Sequence, residues 1–140
     1  MRRIIFCLLV TFLLACGGPL KRATLAANSI AKFSEGAHEV LSGSYEAEQK
    51  ECVRRNVTKE GALSCVVYVR SRYAPAWKAY RALRHTWLAV ASIIESAKLM
   101  ESGLQETDAI GIIRRLLKAQ KHFTDALGGI EWEHQQQLSG

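Results

Sequence analysis

Apolar side chains recur at alternating intervals of four and three residues through a long stretch in the second half of the chain. The seven positions are Ala76, Tyr80, Leu83, Trp87, Val90, Ile94 and Ala97. Since successive residues of an α-helix are rotated by about 100°, this spacing places all seven on one side of a helix. The charged residues Lys78, Arg81 and Glu95 fall outside this stripe. Such a helix has to bury one face against other helices, so the sequence predicts an all-α bundle.

A second and a third helix are predicted on either side of this one. The first runs from about Ala23 to Arg55, and its apolar side comprises Ile30, Phe33, Ala37, Val40, Leu41 and Tyr45. Gly103 is the expected left-handed cap of the middle helix. The last helix begins after an N-cap at Thr107 or Asp108 and ends at Gly128-Gly129. Its stripe comprises Ile110, Ile113, Leu117, Phe123 and Leu127, flanked by Leu116 and Ile130. Residues 131–140 are mostly polar and are expected to form a frayed tail.

The start of the middle helix leaves alternatives open. Residues 65–69, Cys65-Val66-Val67-Tyr68-Val69, are rich in the β-branched and aromatic side chains that are typical of a strand. Because no second strand is available to pair with it, we interpret Ala62–Tyr73 as helix. Pro75 either kinks one long helix or starts a new one at its first turn. The predicted domain, residues 23–130, is therefore a small antiparallel bundle of three helices, or of four if Pro75 breaks the middle one.

The first sixteen residues differ in character from the rest of the chain. Arg2-Arg3 is followed by an apolar run, Ile4–Ala15, that contains one polar residue, and Cys16 comes next. The run is a dozen residues long, whereas a helix needs ~20 residues to span a bilayer. A basic start, a short apolar run and small residues before a cleavage site are typical of a secretory signal peptide. The segment Leu13-Leu14-Ala15-Cys16 resembles the lipobox of bacterial lipoproteins.

This resemblance implies a lipid anchor. In that class the lipobox cysteine receives a diacylglyceryl group, and cleavage makes it the first residue of the mature protein. By this resemblance residues 1–15 are a signal peptide, Cys16 carries acyl chains such as palmitate, and residues 16–22 tether the fold to a membrane. The expected location is the cell membrane or the outer membrane, on its extracytoplasmic or periplasmic face. Gly17 favours the outer membrane, because aspartate at this place favours retention at the inner membrane in the class. An ordinary signal peptide cut near Ala15 or Gly18 and an uncleaved anchor remain alternatives.

The cysteine count predicts one disulfide. Cys7 leaves with the signal peptide and Cys16 is assigned to the lipid, so Cys52 and Cys65 remain as an even pair in an exported domain, where disulfides persist. The loop that they close has 14 residues, counting both ends, and closing it is worth about 3 kcal/mol in the chain-entropy model. Their spacing fits neither a CxxC redox motif nor a zinc ligand set. Two free thiols are the alternative to a structural bridge.

Positive charge is concentrated in the middle of the chain. The formal net charge is +6 overall, and residues 50–84 contain nine basic and two acidic residues, a net charge of +7. The candidate surface for an anionic partner comprises Arg54, Arg55, Arg70, Arg72, Lys78, Arg81 and Arg84. Such a band attracts lipid headgroups, acidic glycans or an acidic protein. The simpler interpretation is a solvated helix face whose long side chains cover the core. Export argues against nucleic acid as a partner.

No arrangement of residues in the sequence indicates catalysis. The four histidines, His38, His85, His122 and His134, are scattered and form neither a zinc motif nor a nucleophile motif. Glu46, Glu48 and Glu51 are expected on one exposed helix face rather than as a glycosidase pair. We therefore expect no enzymatic activity, no cofactor and no metal site.

Three functions fit this interpretation. The first is a non-enzymatic envelope lipoprotein with a structural or protein-interaction role, whose contact surface is the Trp77–Trp87 region or the basic band. The second is a binding module for anionic envelope polymers or lipids through a basic helical face. The third is a phage-type lysis lipoprotein, although the short lipoproteins of that kind tend to be proline-rich and unstructured. This chain has two prolines and strong helical periodicity.

Overall fold

Three long α-helices make up the part of the chain that the structure describes. The structure, a computed structural model, describes residues 17–100 and 103–138, with side chains up to residue 130. The helices are α1 (Pro19–Arg55), α2 (Lys59–Leu99) and α3 (Glu106–Leu138), and these residues contain no strand. The predicted all-α fold is confirmed over this range. The expected signal peptide and Cys16 lie outside the described residues.

α1 begins four residues earlier than predicted and ends where predicted. Its first residue is Pro19, a position that suits proline because an N–H there has no partner within the helix. Residues 19–22 of the expected tether therefore belong to α1. At the other end the Asn56 side chain donates a hydrogen bond to the Cys52 carbonyl, at 2.7 Å. This bond satisfies one of the free carbonyls at the end of the helix.

α2 is one continuous helix of 41 residues with Pro75 inside it. The Thr58 side chain caps its start by accepting a hydrogen bond from the Gly61 N–H at 3.2 Å. The stretch Ala62–Tyr73 is helical, so the interpretation as helix rather than strand is confirmed. Pro75 does not divide the helix, because Tyr73 and neighbouring residues pack into the core on both sides of it. The bundle therefore has three helices.

The ends of α3 differ from their prediction. Gly103 has the expected left-handed conformation, with φ of +61°, but it does not cap α2, which ends at Leu99 with Met100 as its C-cap. α3 begins at Glu106, so the predicted caps, Thr107 and Asp108, lie in its first turn instead, where an acidic side chain suits the positive end of the helix dipole. The helix also continues through Gly128-Gly129 to Leu138, so the predicted end is wrong. Two glycines cost a helix only about 1 kcal/mol each, and Ile130 is buried just beyond them.

Contacts at both ends of the molecule show that α1 and α2 are antiparallel. Near the start of α1, the indole N–H of Trp87 donates to the Ala27 carbonyl at 3.1 Å. Near the end of α1, Cys52 is joined to Cys65 by a disulfide. The two helices thus form a hairpin whose closed end is held covalently.

α3 lies against both helices of this hairpin and runs parallel to α1. Arg22 near the start of α1 forms an ion pair with Glu106 at the start of α3. Further along both helices the rings of Phe33 and Phe123 meet edge-on, with centroids 6.0 Å apart. The Phe123 ring also contacts Tyr80 of α2 at 6.0 Å. Phe123 thus packs against side chains from both neighbouring helices.

The apolar stripe predicted on α2 is the face that the bundle buries. Six of its seven residues are buried, and Trp87 is partly buried. The predicted stripe on α3 is partly wrong, because Ile110 and Leu117 are exposed; the buried residues are Ala109, Ile112, Leu116, Phe123 and Ile130. Neighbouring apolar residues such as Leu116 and Leu117 leave the rotation of a helix undetermined by about 100°. On α1, where both Val40 and Leu41 are predicted on the apolar side, Leu41 is buried and Val40 is exposed.

The predicted disulfide between Cys52 and Cys65 is confirmed. Their Cα atoms are 5.5 Å apart, within the range that a disulfide spans. The bridge lies beside the connection from α1 to α2, so it fixes the closed end of the hairpin.

Replacing both bridge cysteines by alanine is expected to lower the free energy of unfolding by about 3 kcal/mol, since the unfolded chain regains the freedom of the open loop. Denaturant unfolding of the variant and the parent measures this difference. The parent treated with a reductant is the control and should lose a similar amount. Equal stability of the oxidised parent and the variant would contradict the prediction.

Candidate functional site

Arg72 lies between the helices and not on the predicted basic surface. Its side chain is 5% exposed, and Nη2 donates to Oε1 of Glu48 on α1 at 2.6 Å. The Tyr73 hydroxyl donates to the same oxygen at 2.7 Å. Two expectations are therefore corrected: Arg72 does not face an external partner, and Glu48 is partly buried instead of solvated. The register of the hairpin places Arg72 against α1, where a carboxylate compensates the charge that is taken out of water.

A groove of about 340 Å³ borders this cluster. Its walls include the apolar side chains of Val40, Leu41, Leu127 and Ile130, and Arg72 lies beside them. The Nε of Arg72 is buried and has no hydrogen-bond partner within the described residues. Because Glu48 balances the guanidinium charge, this groove is apolar with a charge-neutral border.

Tyr73 makes the stability of the cluster that it forms with Glu48 and Arg72 depend on pH. Burial, the larger cause, and the hydrogen bond to Glu48 together raise the pKa of Tyr73 to about 12. The folded-state pKa thus lies above the ordinary value of 10.0, so the unfolded chain loses this proton first as the pH rises. The contribution to stability is fully present below about pH 10 and is lost as the pH rises toward about 12.

Tyr73→Phe is expected to flatten the loss of stability in that range, because phenylalanine has no proton to lose. The free energy of unfolding of the parent and of the variant, followed by denaturant titration from pH 8 upward, measures the effect. The parent should lose stability more steeply than the variant above about pH 10. Parallel curves for the two proteins would show that Tyr73 titrates as freely in the folded protein as in the unfolded chain.

Arg54 and Arg55, at the end of α1, share one carboxylate. Both donate to Glu51, and Nε of Arg54 lies 2.7 Å from Oε2. The hydrogen bond from Arg54 and then that from Arg55 lower the pKa of Glu51 to about 2. Glu51 therefore remains charged at any physiological pH and offsets one of the two positive charges. These two arginines contribute less to a basic surface than their number indicates.

The other four predicted basic residues are exposed on α2. They are Arg70, Lys78, Arg81 and Arg84. Over the described residues no carboxylate lies within ion-pair distance of any of the four. Arg70, Lys78 and Arg81 share the side of α2 that is opposite its buried stripe. Arg84 is rotated toward α1.

A second groove, of about 400 Å³, runs between α1 and α2 where Arg84 lies. α1 contributes Glu35, His38 and Glu39, and α2 contributes aromatic rings as well as Arg84. The His38 ring contacts the rings of Trp77 and Tyr80, with centroids 5.8 and 5.4 Å apart. The sequence gives no signal for this cluster, because its members are far apart in the chain and only the register of the hairpin brings them together.

This groove combines groups that bind polar ligands. Two carboxylates, an imidazole and a guanidinium lie along its edges, and aromatic rings form part of its wall. The predicted Trp77–Trp87 contact region is partly used internally, since the indole N–H of Trp87 is bonded to the Ala27 carbonyl. Across residues 17–100 and 103–130, no three His, Cys, Asp or Glu side chains come together as a metal site requires.

Comparisons with protein-family models, curated proteins and solved structures give no match to this chain. No helix among the described residues is long and apolar enough to cross a membrane. Over the described residues, the structure is a three-helix bundle with a covalently closed hairpin, exposed cations on α2 and grooves between its helices.

Proposed function

We propose that this chain is a lipid-anchored protein of the bacterial cell envelope with a non-enzymatic, interaction role. The observation that carries the proposal is the N-terminal sequence: Arg2-Arg3, a short apolar run and Leu13-Leu14-Ala15-Cys16, which resembles a lipoprotein signal. On this proposal residues 1–15 are removed and Cys16 carries the lipid. The antiparallel bundle then lies on the extracytoplasmic face of the cell membrane or the outer membrane.

Two structural features support this location. The Cys52–Cys65 disulfide suits an exported protein, because disulfides persist in oxidising compartments and are rare in the cytosol. α1 begins at Pro19, so only two glycines separate the proposed lipidated cysteine from a rigid helix. A tether of this length holds one end of the bundle close to the membrane surface.

The proposed role is binding, and the surface of the described residues supports it. α2 presents exposed basic side chains without carboxylate partners in that part of the chain, and such charges attract anionic molecules. The groove at His38 offers aromatic and charged groups to a polar partner. The partner that we propose is a protein or an anionic component of the envelope.

Metabolic labelling with a palmitate analogue tests the anchor. The parent is expected to incorporate the label, and Cys16→Ser is expected to lose it completely, because serine has no thiol to acylate. Cys7→Ser is the matched control: it removes another cysteine from the same segment and should leave labelling unchanged. Labelling of Cys16→Ser at the level of the parent would contradict the proposal.

A further inference from the structure

The three helices differ in charge, and α2 is by far the most basic. α2 contains seven basic and two acidic residues, a net charge of +5, whereas α1 has a net charge of +1 and α3 of −1. The two acidic residues of α2, Glu60 and Glu95, lie near its ends. The 34 residues between them contain no carboxylate side chain. Most of the length of α2 therefore carries positive charge only.

The exposed residues of α2 form a continuous face on the side opposite the core. At intervals of three and four residues this outer face comprises Lys59, Leu63, Val67, Arg70, Ala74, Lys78, Arg81, His85 and Leu88, all of them exposed. The face is about 44 Å long at 1.5 Å per residue. We call it the α2 outer face.

The cations of the α2 outer face differ from several other exposed cations in the described part of the chain. Arg54, Arg55, Lys98 and Lys121 pair with carboxylates on their own helices. Arg70, Lys78 and Arg81 have no such partner among the described residues. The central cations of the α2 outer face, Arg70, Lys78 and Arg81, therefore present positive charge that no carboxylate of the described residues pairs.

Apolar side chains lie between these cations on the α2 outer face. Leu63, Val67 and Leu88 are 62%, 59% and 47% exposed, respectively, and they lie on the same face as the basic residues. On a membrane surface both kinds of side chain contribute, because binding strengthens with the apolar area that is buried and with the attraction of cations to anionic lipids. A soluble acidic polymer would use the cations and leave the apolar side chains in water. The combination thus favours a lipid surface.

The tether places the start of the bundle close to the membrane surface. Cys16 is three residues before Pro19, and three extended residues span at most about 11 Å. The start of α1 is therefore close to the membrane if Cys16 is acylated. From there a bundle about 55 Å long, the length of α1, either stands upright or lies down with one helix against the headgroups.

We propose that the α2 outer face lies on the anionic lipid headgroups of the membrane in which Cys16 is anchored, an inference that rests on the proposed function. The bundle then lies along the membrane, with the groove at His38 beside the headgroups. The lipid class is an anionic phospholipid such as phosphatidylglycerol.

α3 provides a control within the same molecule. Its exposed residues include Ile110, Arg114, Leu117 and Lys118, which resemble the α2 outer face in type. Acidic residues accompany them, however: Glu106 and Asp108 lie in the first turn, and Asp125 pairs with Lys121 at 2.6 Å. Lys78 and Lys118 are thus exposed lysines on different helices. Their reactivity distinguishes a bundle that lies with α2 against the membrane from one that lies with α3 against it.

Lysine footprinting of the full chain in vesicles tests the proposal. The protein is reconstituted in phosphatidylcholine vesicles with or without phosphatidylglycerol, acetylated briefly and digested, and modification of each lysine is measured by mass spectrometry. Phosphatidylglycerol is expected to reduce the modification rate of Lys78 about fivefold and to leave that of Lys118 almost unchanged. High salt should restore the reactivity of Lys78, since the attraction is screened. Unchanged Lys78, or protection of Lys118 instead, would overturn the proposal.

Charge-reversal variants separate this face from the anchor. Lys78→Glu/Arg81→Glu is expected to abolish the effect of phosphatidylglycerol, measured at Lys59 of the same face, whereas Arg114→Glu/Lys118→Glu should keep it.

Full-length Cys16→Ser tests whether the α2 outer face binds lipid without the anchor. If it still binds vesicles containing phosphatidylglycerol with Lys78 protected, while the parent carries no lipid, the anchor fails and the α2 outer face stands. If the parent is lipidated and Lys78 is protected by soluble polyglutamate but not by phosphatidylglycerol, the α2 proposal fails and the anchor stands.

Discussion

Phe123→Ala is expected to lower the free energy of unfolding by about 3–5 kcal/mol, the usual cost of removing a phenyl ring from a core. Phe123 is 0% exposed and its ring contacts both Phe33 of α1 and Tyr80 of α2 edge-on. Removing it leaves a cavity where all three helices meet. Denaturant unfolding of the parent and the variant, with a common slope, measures the difference.

Leu117→Ala is the matched control for this variant. Leu117 lies on the same helix and was predicted to belong to the same apolar stripe, but it is 39% exposed. We expect a loss of less than about 1 kcal/mol, because little apolar surface leaves the core. Equal losses for the two variants would mean that α3 packs in the rotation predicted from the sequence and not in the one described.

Glu48→Gln is expected to destabilise the protein by about 2–3 kcal/mol, although the substitution barely changes the size of the side chain. Arg72 then keeps its charge between the helices without a carboxylate, and breaking one side of a buried ion pair is costly. The expectation lies below the range for a fully buried pair because the Glu48 side chain is 25% exposed. Thermal or denaturant unfolding of the variant against the parent gives the value.

Glu46→Gln controls for the loss of one negative charge on the same helix. Glu46 is exposed and its oxygen lies 4.0 Å from Lys50, so its substitution should change stability by less than about 0.5 kcal/mol. The double variant Glu48→Leu/Arg72→Met should cost less than Glu48→Gln, since no unpaired charge remains inside. A double variant as unstable as, or less stable than, Glu48→Gln would show that the pair itself is the main source of stability.

The sequence predicted the helices where periodicity and local chemistry agree. On α2 the alternating spacing of large residues such as Tyr80, Leu83 and Val90 admits only one rotation of the helix, and that rotation is the one described. The disulfide was predictable because two cysteines flank a short turn. The β-rich stretch at Val66-Val67 is helical because the helix that contains it continues into the packed core.

Other features depend on packing and were not predictable. On α3, Leu116 and Leu117 are equivalent in the sequence, and only contact with α1 and α2 decides which is buried. Gly128-Gly129 has a local preference to end a helix, and the burial of Ile130 just beyond it offsets that cost. The position of Pro75 left open whether the middle helix breaks, and the packing on both sides of it keeps the helix whole.

Only the positive charge of the candidate site was predictable from the sequence. The sequence located the basic band, and the exposed positions Arg70, Lys78 and Arg81 are among the residues it named. Burial of Arg72 was not predictable, since its partner Glu48 comes from another helix. The same holds for His38, whose aromatic neighbours lie on α2. Relations between helices depend on the register of the hairpin, which the pattern within one helix does not encode.

The intact mass of the protein, purified from bacterial membranes, decides whether Cys16 is acylated. The proposed anchor predicts a chain that begins at residue 16, with the added mass of a diacylglyceryl group on Cys16. Fragmentation should locate that mass on the first residue. A chain that still begins with Met1 and carries no added fatty mass would contradict the lipid anchor and the proposed location together.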